Sequence, residues 1–149
     1  MIIKASVRIN APLQVVWDVF SDIASWSQWN PVCRECRFEA GHMLVRGACI
    51  SFSLNPMVLP IRIAPEVTYC EPGKKVVWKG GRFGIHAEHE FLFEEVDGGV
   101  VLRSTEFFKG PMLVFARLMF LPARLHALSL RLLDAIKARA ESRSAEYSN

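Results

Sequence analysis

Alternation is the first regularity along the chain. Ile3, Ala5, Val7 and Ile9 are separated by Lys4, Ser6 and Arg8, a period of two that predicts a strand with one buried face. Asn10 stands where it can cap a helix whose first turn holds Pro12, a position that does not need proline's missing N–H. Leu13, Val16, Trp17 and Phe20 then recur at helical spacing. Ser21 or Asp22 caps a second short helix that stops near Asn30 and Pro31. From 32 to 108 the pattern becomes strands and turns. The predicted strands are 32–38, 43–54, 60–70, 74–79, 86–96 and 99–108, punctuated by Gly41, Asn55-Pro56, Glu71-Pro72-Gly73, Gly80-Gly81 and Asp97-Gly98-Gly99. Hairpin-length connections favour an antiparallel meander. After Gly110-Pro111 the period turns helical to about Glu141, with Leu121, Leu125, Leu128, Leu132, Ile136 and Ala140 on one face and Arg124, Arg131, Asp134 and Lys137 off it. Pro122 predicts a kink or a restart of the helix near residue 121. Residues 142–149 are polar and read as a frayed tail, leaving 1–141 as one domain.

Composition narrows the partner class. The 149 residues are 51% hydrophobic and carry a net charge of +3, so either the core is rich or apolar surface lines a pocket. Lys and Arg are scattered without a basic stripe, which argues against nucleic acid. No segment reaches the ~18–20 apolar residues of a bilayer span, and the N-terminal alternation lacks a signal peptide's apolar block. A cytoplasmic location is the expectation, with Cys33, Cys36, Cys49 and Cys70 as reduced thiols.

One strand, two short helices, six further strands and a long C-terminal helix form an order that can be named. With Ala11-Pro12, Val16-Trp17, Trp26, Trp29-Asn30-Pro31, Val77-Trp78, His89-Glu90-Phe91 and the strand from Gly98 to Glu106, the chain resembles the SRPBCC superfamily. That is the START-like or birch-pollen-allergen-like fold, and the resemblance is nearest its polyketide cyclase/dehydrase-like branch. The resemblance implies an α+β helix-grip domain: a seven-stranded curved antiparallel sheet wrapped around the long C-terminal helix, with a cavity between them. It covers nearly the whole chain. It is specific for fold and weak for function, since the superfamily includes lipid carriers, receptors, cyclases and co-chaperone domains.

The hairpin 86–108 allows a sharper reading. If its turn is a two-residue loop within Asp97-Gly98-Gly99, paired positions sum to an odd number. Ala87, His89, Phe91 and Phe93 then share a face with Leu102, Ser104, Glu106 and Phe108, and the opposite face is mostly charged. The apolar face turns inward, bringing His89 and Glu106 to the interior, opposite or one step diagonal. A three-residue loop would separate them. A buried carboxylate needs a partner or a proton. The pair can order the sheet, grip a ligand's polar end, or act as a general acid/base dyad. The aromatics Trp26, Trp29, Phe52, Tyr69, Trp78, Phe83, Phe91, Phe93, Phe108 and Phe115 suggest a wide apolar cavity, typically ~300–1,000 Å³ for a small-molecule site. The resemblance adds Met112, Phe115, Met119 and Leu125 as the wall near the entrance, while Arg62, Arg82 and Arg117 are candidates to meet an anionic head group.

Other signals carry less. Cys33-x-x-Cys36 and His86-x-x-His89 lie on predicted strands, where positions three apart face opposite sides, so no metal is expected, and no cofactor. Gly80-Gly81-x-x-Gly84 is a turn before a strand, not a phosphate loop. The apolar segment 112–121 is expected as the buried front half of the long helix. Its alternatives are a gate in transient membrane contact and a dimer contact, and the oligomeric state is monomer or homodimer. The expected function is binding or transport of a hydrophobic small molecule, lipid-like or polycyclic. The alternatives are an aromatase/cyclase-like enzyme using His89 and Glu106, and a co-chaperone-like interaction module.

Overall fold

The computed structural model describes residues 1–56 and 58–149. Strand β1 (Ile2–Ile9) leads into α1 (Leu13–Ser21), a 3₁₀ turn (Ile23–Ser25) and the single-turn α2 (Trp26–Trp29). Then come β2 (Arg34–Ala40), β3 (Cys49–Leu54), β4 (Ile61–Ile63), β5 (Glu66–Glu71), β6 (Lys75–Arg82), β7 (Ile85–Val96) and β8 (Gly99–Lys109), followed by α3 (Leu113–Leu118) and α4 (Leu121–Tyr147). The strands form one antiparallel sheet in the order β1-β8-β7-β6-β5-β3-β2, with β4 paired to β3 off that path. The sheet curls around α4, whose Leu132, Leu133, Ile136 and Ala140 are buried against it.

The expected architecture is present with local differences. The stretch 60–70 is two strands, because Ala64 and Pro65 interrupt it and β4 and β5 pair with different ends of β3 (Phe52 with Ile63, Cys49 with Glu66). Eight strands are therefore seen among the described residues, seven of them on the main path. Residues 43–48 bend rather than extend, and Gly47 at φ 90° donates its N–H to Val67 O. Helix α1 begins after Pro12 with no side-chain cap, and the N–H of Asn10 is instead held by the Glu141 carboxylate at 3.0 Å. Of the kink and the restart expected near residue 121 the structure has the restart: the chain turns at Phe120, whose φ of 57° is left-handed, and α4 begins at Leu121 with Pro122 in its first turn. α4 runs on to Tyr147, past Glu141.

The segment 112–121 is not buried as expected. α3 is only six residues long, and only its Ala116 is fully covered. Val114, Phe115, Leu118, Met119 and Phe120 are all more than half exposed. The break explains this: after Phe120 the chain changes direction, and α3 cannot share the buried stripe of α4. Among the described residues no helix is long and apolar enough to cross a membrane.

Candidate functional site

The sheet's inner face fills in two unequal parts. α1 presses Phe20 into one of them, where its ring lies 4.9 Å from Phe91, 5.0 Å from Phe93, 5.6 Å from Trp26 and 6.1 Å from Trp78. The first three contacts are edge-on and the Trp78 one is stacked, both favoured aromatic geometries, and the cluster is solid. Toward the β6–β7 turn no helix plugs the concavity, and a cavity of about 220 Å³ remains. It is smaller than the expected range because Phe20 occupies the rest.

Its walls come from every layer. The sheet contributes Phe52, Ile63, Trp78, Ala87 and Phe108; α2 contributes Trp26; the stretch before β2 contributes Val32 and Cys33; α4 contributes Leu121, Leu125, Leu128, Ser129 and Leu132. Of the residues expected at a ligand site, Trp26, Phe52, Trp78, Phe108 and Leu125 face this space. The others lie elsewhere. Phe91 and Phe93 belong to the Phe20 cluster. Trp29 meets Trp26 at a tilt, their ring centroids 6.1 Å apart. Tyr69 is on the outer face of β5, its hydroxyl donating to Glu71 at 3.0 Å. Met112, Phe115 and Met119 are turned to solvent with α3. Of the three arginines, Arg62 is engaged by Glu35 and Glu39, Arg82 reaches the cavity rim with its guanidinium 4.8 Å over the Phe83 ring, and Arg117 is solvent-exposed.

His89 and Glu106 are direct cross-strand partners, because Val96 pairs with Gly99 and the loop is the two residues Asp97 and Gly98. They are not bonded to each other. His89 Nε2 lies 2.6 Å from Ser104 Oγ, and Ser129 on α4 donates its hydroxyl to Glu106 Oε1. Ser104 is buried and sits behind the imidazole rather than on the cavity wall. The imidazole also stacks on Phe91, with centroids 4.0 Å apart, and meets Trp78 edge-on at 5.6 Å. Whatever surface His89 keeps faces the cavity. Burial pushes its pKa below the ordinary imidazole value, and the Glu106 charge only partly opposes this. A neutral ring therefore stands opposite a carboxyl group, each held by its own serine. Nδ1 of His89 and Oε2 of Glu106 have no hydrogen-bond partner among the described residues. Both can accept from, or exchange a proton with, a group entering the cavity.

Ser129 escaped the sequence reading. The signal was available: it lies four residues after Leu125 and three before Leu132, a lone hydroxyl in the apolar stripe of α4. Cys33 was also missed as a wall residue. The chain is left-handed at Glu35 and the β2–β3 register shifts between Arg34 and Arg37. This bulge turns both Cys33 and Cys36 inward, where strand alternation alone predicts divergence. The Cys36 thiol beside it and then burial raise the Cys33 pKa, so its thiol stays protonated. His86 and His89 do diverge across β7, and among the described residues no group of three His, Cys, Asp or Glu is arranged to hold a metal ion.

Likenesses to known proteins agree with this architecture. The fold is similar to that of a Thermus thermophilus protein at a TM-score of 0.82, with 14% identity over 97% of this chain and 99% of the other. It is similar to the aromatase/cyclase Zhui of a Streptomyces species at 0.78, with 16% identity over 96% and 94%. A START superfamily protein from Mycobacterium smegmatis aligns at 0.70, with 14% identity over 98% of each chain. At such identities the likeness is one of fold. No curated protein matches the sequence. A family model described as polyketide cyclase/dehydrase and lipid transport matches residues 2–141. With nearly the whole chain matched and the START-like sheet and helix in place, the protein belongs to the polyketide cyclase/dehydrase and lipid transport family of the SRPBCC superfamily.

Proposed function

We propose that the protein binds a hydrophobic small molecule, lipid-like or polycyclic, in the cavity between sheet and C-terminal helix, and carries it. One observation supports this above the rest: a part-open apolar cavity whose polar side chains, apart from Arg82 at the rim, converge on one patch around His89, Glu106 and Ser129. Such a wall rewards an apolar body at about 2.5 kcal/mol per 100 Å² of ligand surface buried. The patch rewards a single hydroxyl or carbonyl at one end, and it fixes orientation. A filled core, which a pure interaction module would favour, is not what this chain has.

A second reading rests on the His89–Glu106 register. A neutral imidazole opposite a carboxyl group is a general acid/base arrangement, and a reactive polyketide-like chain held there could be cyclised by proton transfer. Native mass spectrometry of the protein from its host, followed by organic extraction, separates the two. A released lipid or polycyclic compound supports the carrier. An empty protein that turns over a supplied substrate, and loses turnover but not product binding in Glu106→Gln, supports the enzyme. Empty protein with neither property overturns both.

A further inference from the structure

We infer that the cavity rim is a docking surface for an anionic lipid bilayer, so that the apolar ligand exchanges with a membrane rather than with water. The inference rests on the reading of the cavity as an apolar ligand site, and it starts from exposed side chains at the cavity's edge.

The β6–β7 turn and α3 meet at the cavity's edge. Phe83, at the turn, and Leu113, in α3, both line the cavity. A Cβ on Gly84 would meet the Met112 side chain, and one on Gly110 would meet the Gly84 carbonyl oxygen. These two segments expose Phe83 at 67%, Phe115 at 59%, Leu118 at 73% and Phe120 at 77%. An apolar patch of this kind beside a binding cavity marks a contact with something outside the chain.

The backbone says the same independently. Among the described residues three that are not glycine have positive φ, and two are Phe83 (54°) and Phe120 (57°). Phe83 and Gly84 (φ 71°) form the two-residue loop between Arg82 and Ile85, where a type I′ turn favours Asn-Gly. Phe120 sits just beyond α3, where glycine or asparagine is usual. At both positions the backbone conformation and the solvent favour a small polar residue, and a large ring stands there instead.

Charge selects the partner. The turn and α3 carry Arg82 and Arg117, Lys109 ends β8 just before α3 and Arg124 lies in the first turn of α4 just after it, and no acidic residue occurs from Lys109 until Asp134. Among the described residues none of these four cations is in an ion pair. On the outer sheet face, by contrast, Lys75, Lys79 and Arg103 are matched by Glu90, Glu88 and Glu94. A second copy is a poor occupant, since a two-fold contact through this patch would oppose like charges. Exposed apolar side chains together with cations that have no acidic partner suit an anionic lipid surface, on which a short helix lies without spanning.

The test is flotation of the full chain with vesicles of phosphatidylcholine alone and of equimolar phosphatidylcholine and phosphatidylglycerol. Expected is partition onto the phosphatidylglycerol vesicles that falls as salt rises. Phe115→Ser with Leu118→Ser should weaken it at least about tenfold, and Arg117→Glu with Arg124→Glu should weaken it on the anionic vesicles only. Unchanged thermal unfolding certifies that each variant is folded. Wild-type protein that floats with neither vesicle, variants that float equally well, or lipid-free self-association through the same residues would each overturn the docking surface. A fluorescent apolar probe bound in vesicle-free buffer keeps the two readings apart. Probe binding without flotation removes the docking and leaves the cavity reading. Flotation without probe binding retains the docking surface and removes the apolar-ligand reading beneath it.

Discussion

Phe120→Asn exchanges a large ring for a residue at ease in the left-handed region, and the structure allows both consequences to be estimated. The ring is 77% exposed, so of roughly 200 Å² for a phenylalanine side chain only about 45 Å² is covered by the protein. Uncovering that area costs about 1 kcal/mol. Releasing a bulky side chain from φ 57° returns about 1 kcal/mol. The two offset, and for a domain of this length the melting temperature is expected to stay within about 4 °C of the parent. A buried phenylalanine truncated in a core loses about 3–5 kcal/mol instead. On anionic vesicles the accounting differs. If half of the exposed ring area enters the acyl boundary, its removal costs about 2 kcal/mol, a roughly thirtyfold weaker partition. Urea unfolding and vesicle flotation on one preparation measure both numbers. A stability loss of about 3 kcal/mol or more would refute the reasoning, because Phe120 would then serve the fold. An unchanged partition would refute it from the other side.

Glu106→Leu is expected to leave stability within about 1 kcal/mol, since an apolar side chain suits the wall and Ser129 can turn its hydroxyl to its own helix. Ligands with a polar end should lose affinity, as a competition assay would read; an unfolded variant would assign Glu106 to the fold. Burial keeps His89 neutral, with a folded pKa below the unfolded value near 6.5, so its contribution is complete above that pH. It is lost as pH falls toward the folded pKa, at no more than about 1.4 kcal/mol per pH unit. His89→Gln should flatten that limb in pH-dependent melting, whereas Glu39, with its pKa at about 2, acts only in more acidic solution. Gly110→Ala puts a Cβ against the Gly84 carbonyl oxygen at φ 138° and should cost about 2–3 kcal/mol in urea unfolding. A neutral result would mean that the α3 junction yields easily.

The register of the β7–β8 hairpin was legible because a two-residue loop leaves one pairing, and that pairing put His89 opposite Glu106. Face is what alternation encodes. Position along the face is not, and so Phe91 and Phe93 read as cavity walls when α1 had sent Phe20 against them. The split at Ala64-Pro65 was hidden inside an otherwise apolar strand pattern. The break in the C-terminal helix was read at Pro122, the residue that breaks helices by rule, but the turn is made by Phe120, which no propensity favours there. Ser129 was silent because a serine facing inward on a helix declares itself only through a partner from another element.

The cavity's walls run from Met1, just ahead of β1, through β3, β4 and the β6–β8 meander to α4, so its lining is contributed by residues from Met1 to Leu132. β1 joins the sheet only by pairing with β8, Ile2 against Phe107, a contact between residues about a hundred positions apart that carries a large loop-closure cost. No partly folded form owns the binding space. An occupant therefore stabilises the native state alone, by about 2.7 kcal/mol at a concentration a hundredfold above its Kd. Heat becomes a detector indifferent to the chemistry of the guest, and a library screened by melting temperature can find a ligand whose class is still unguessed.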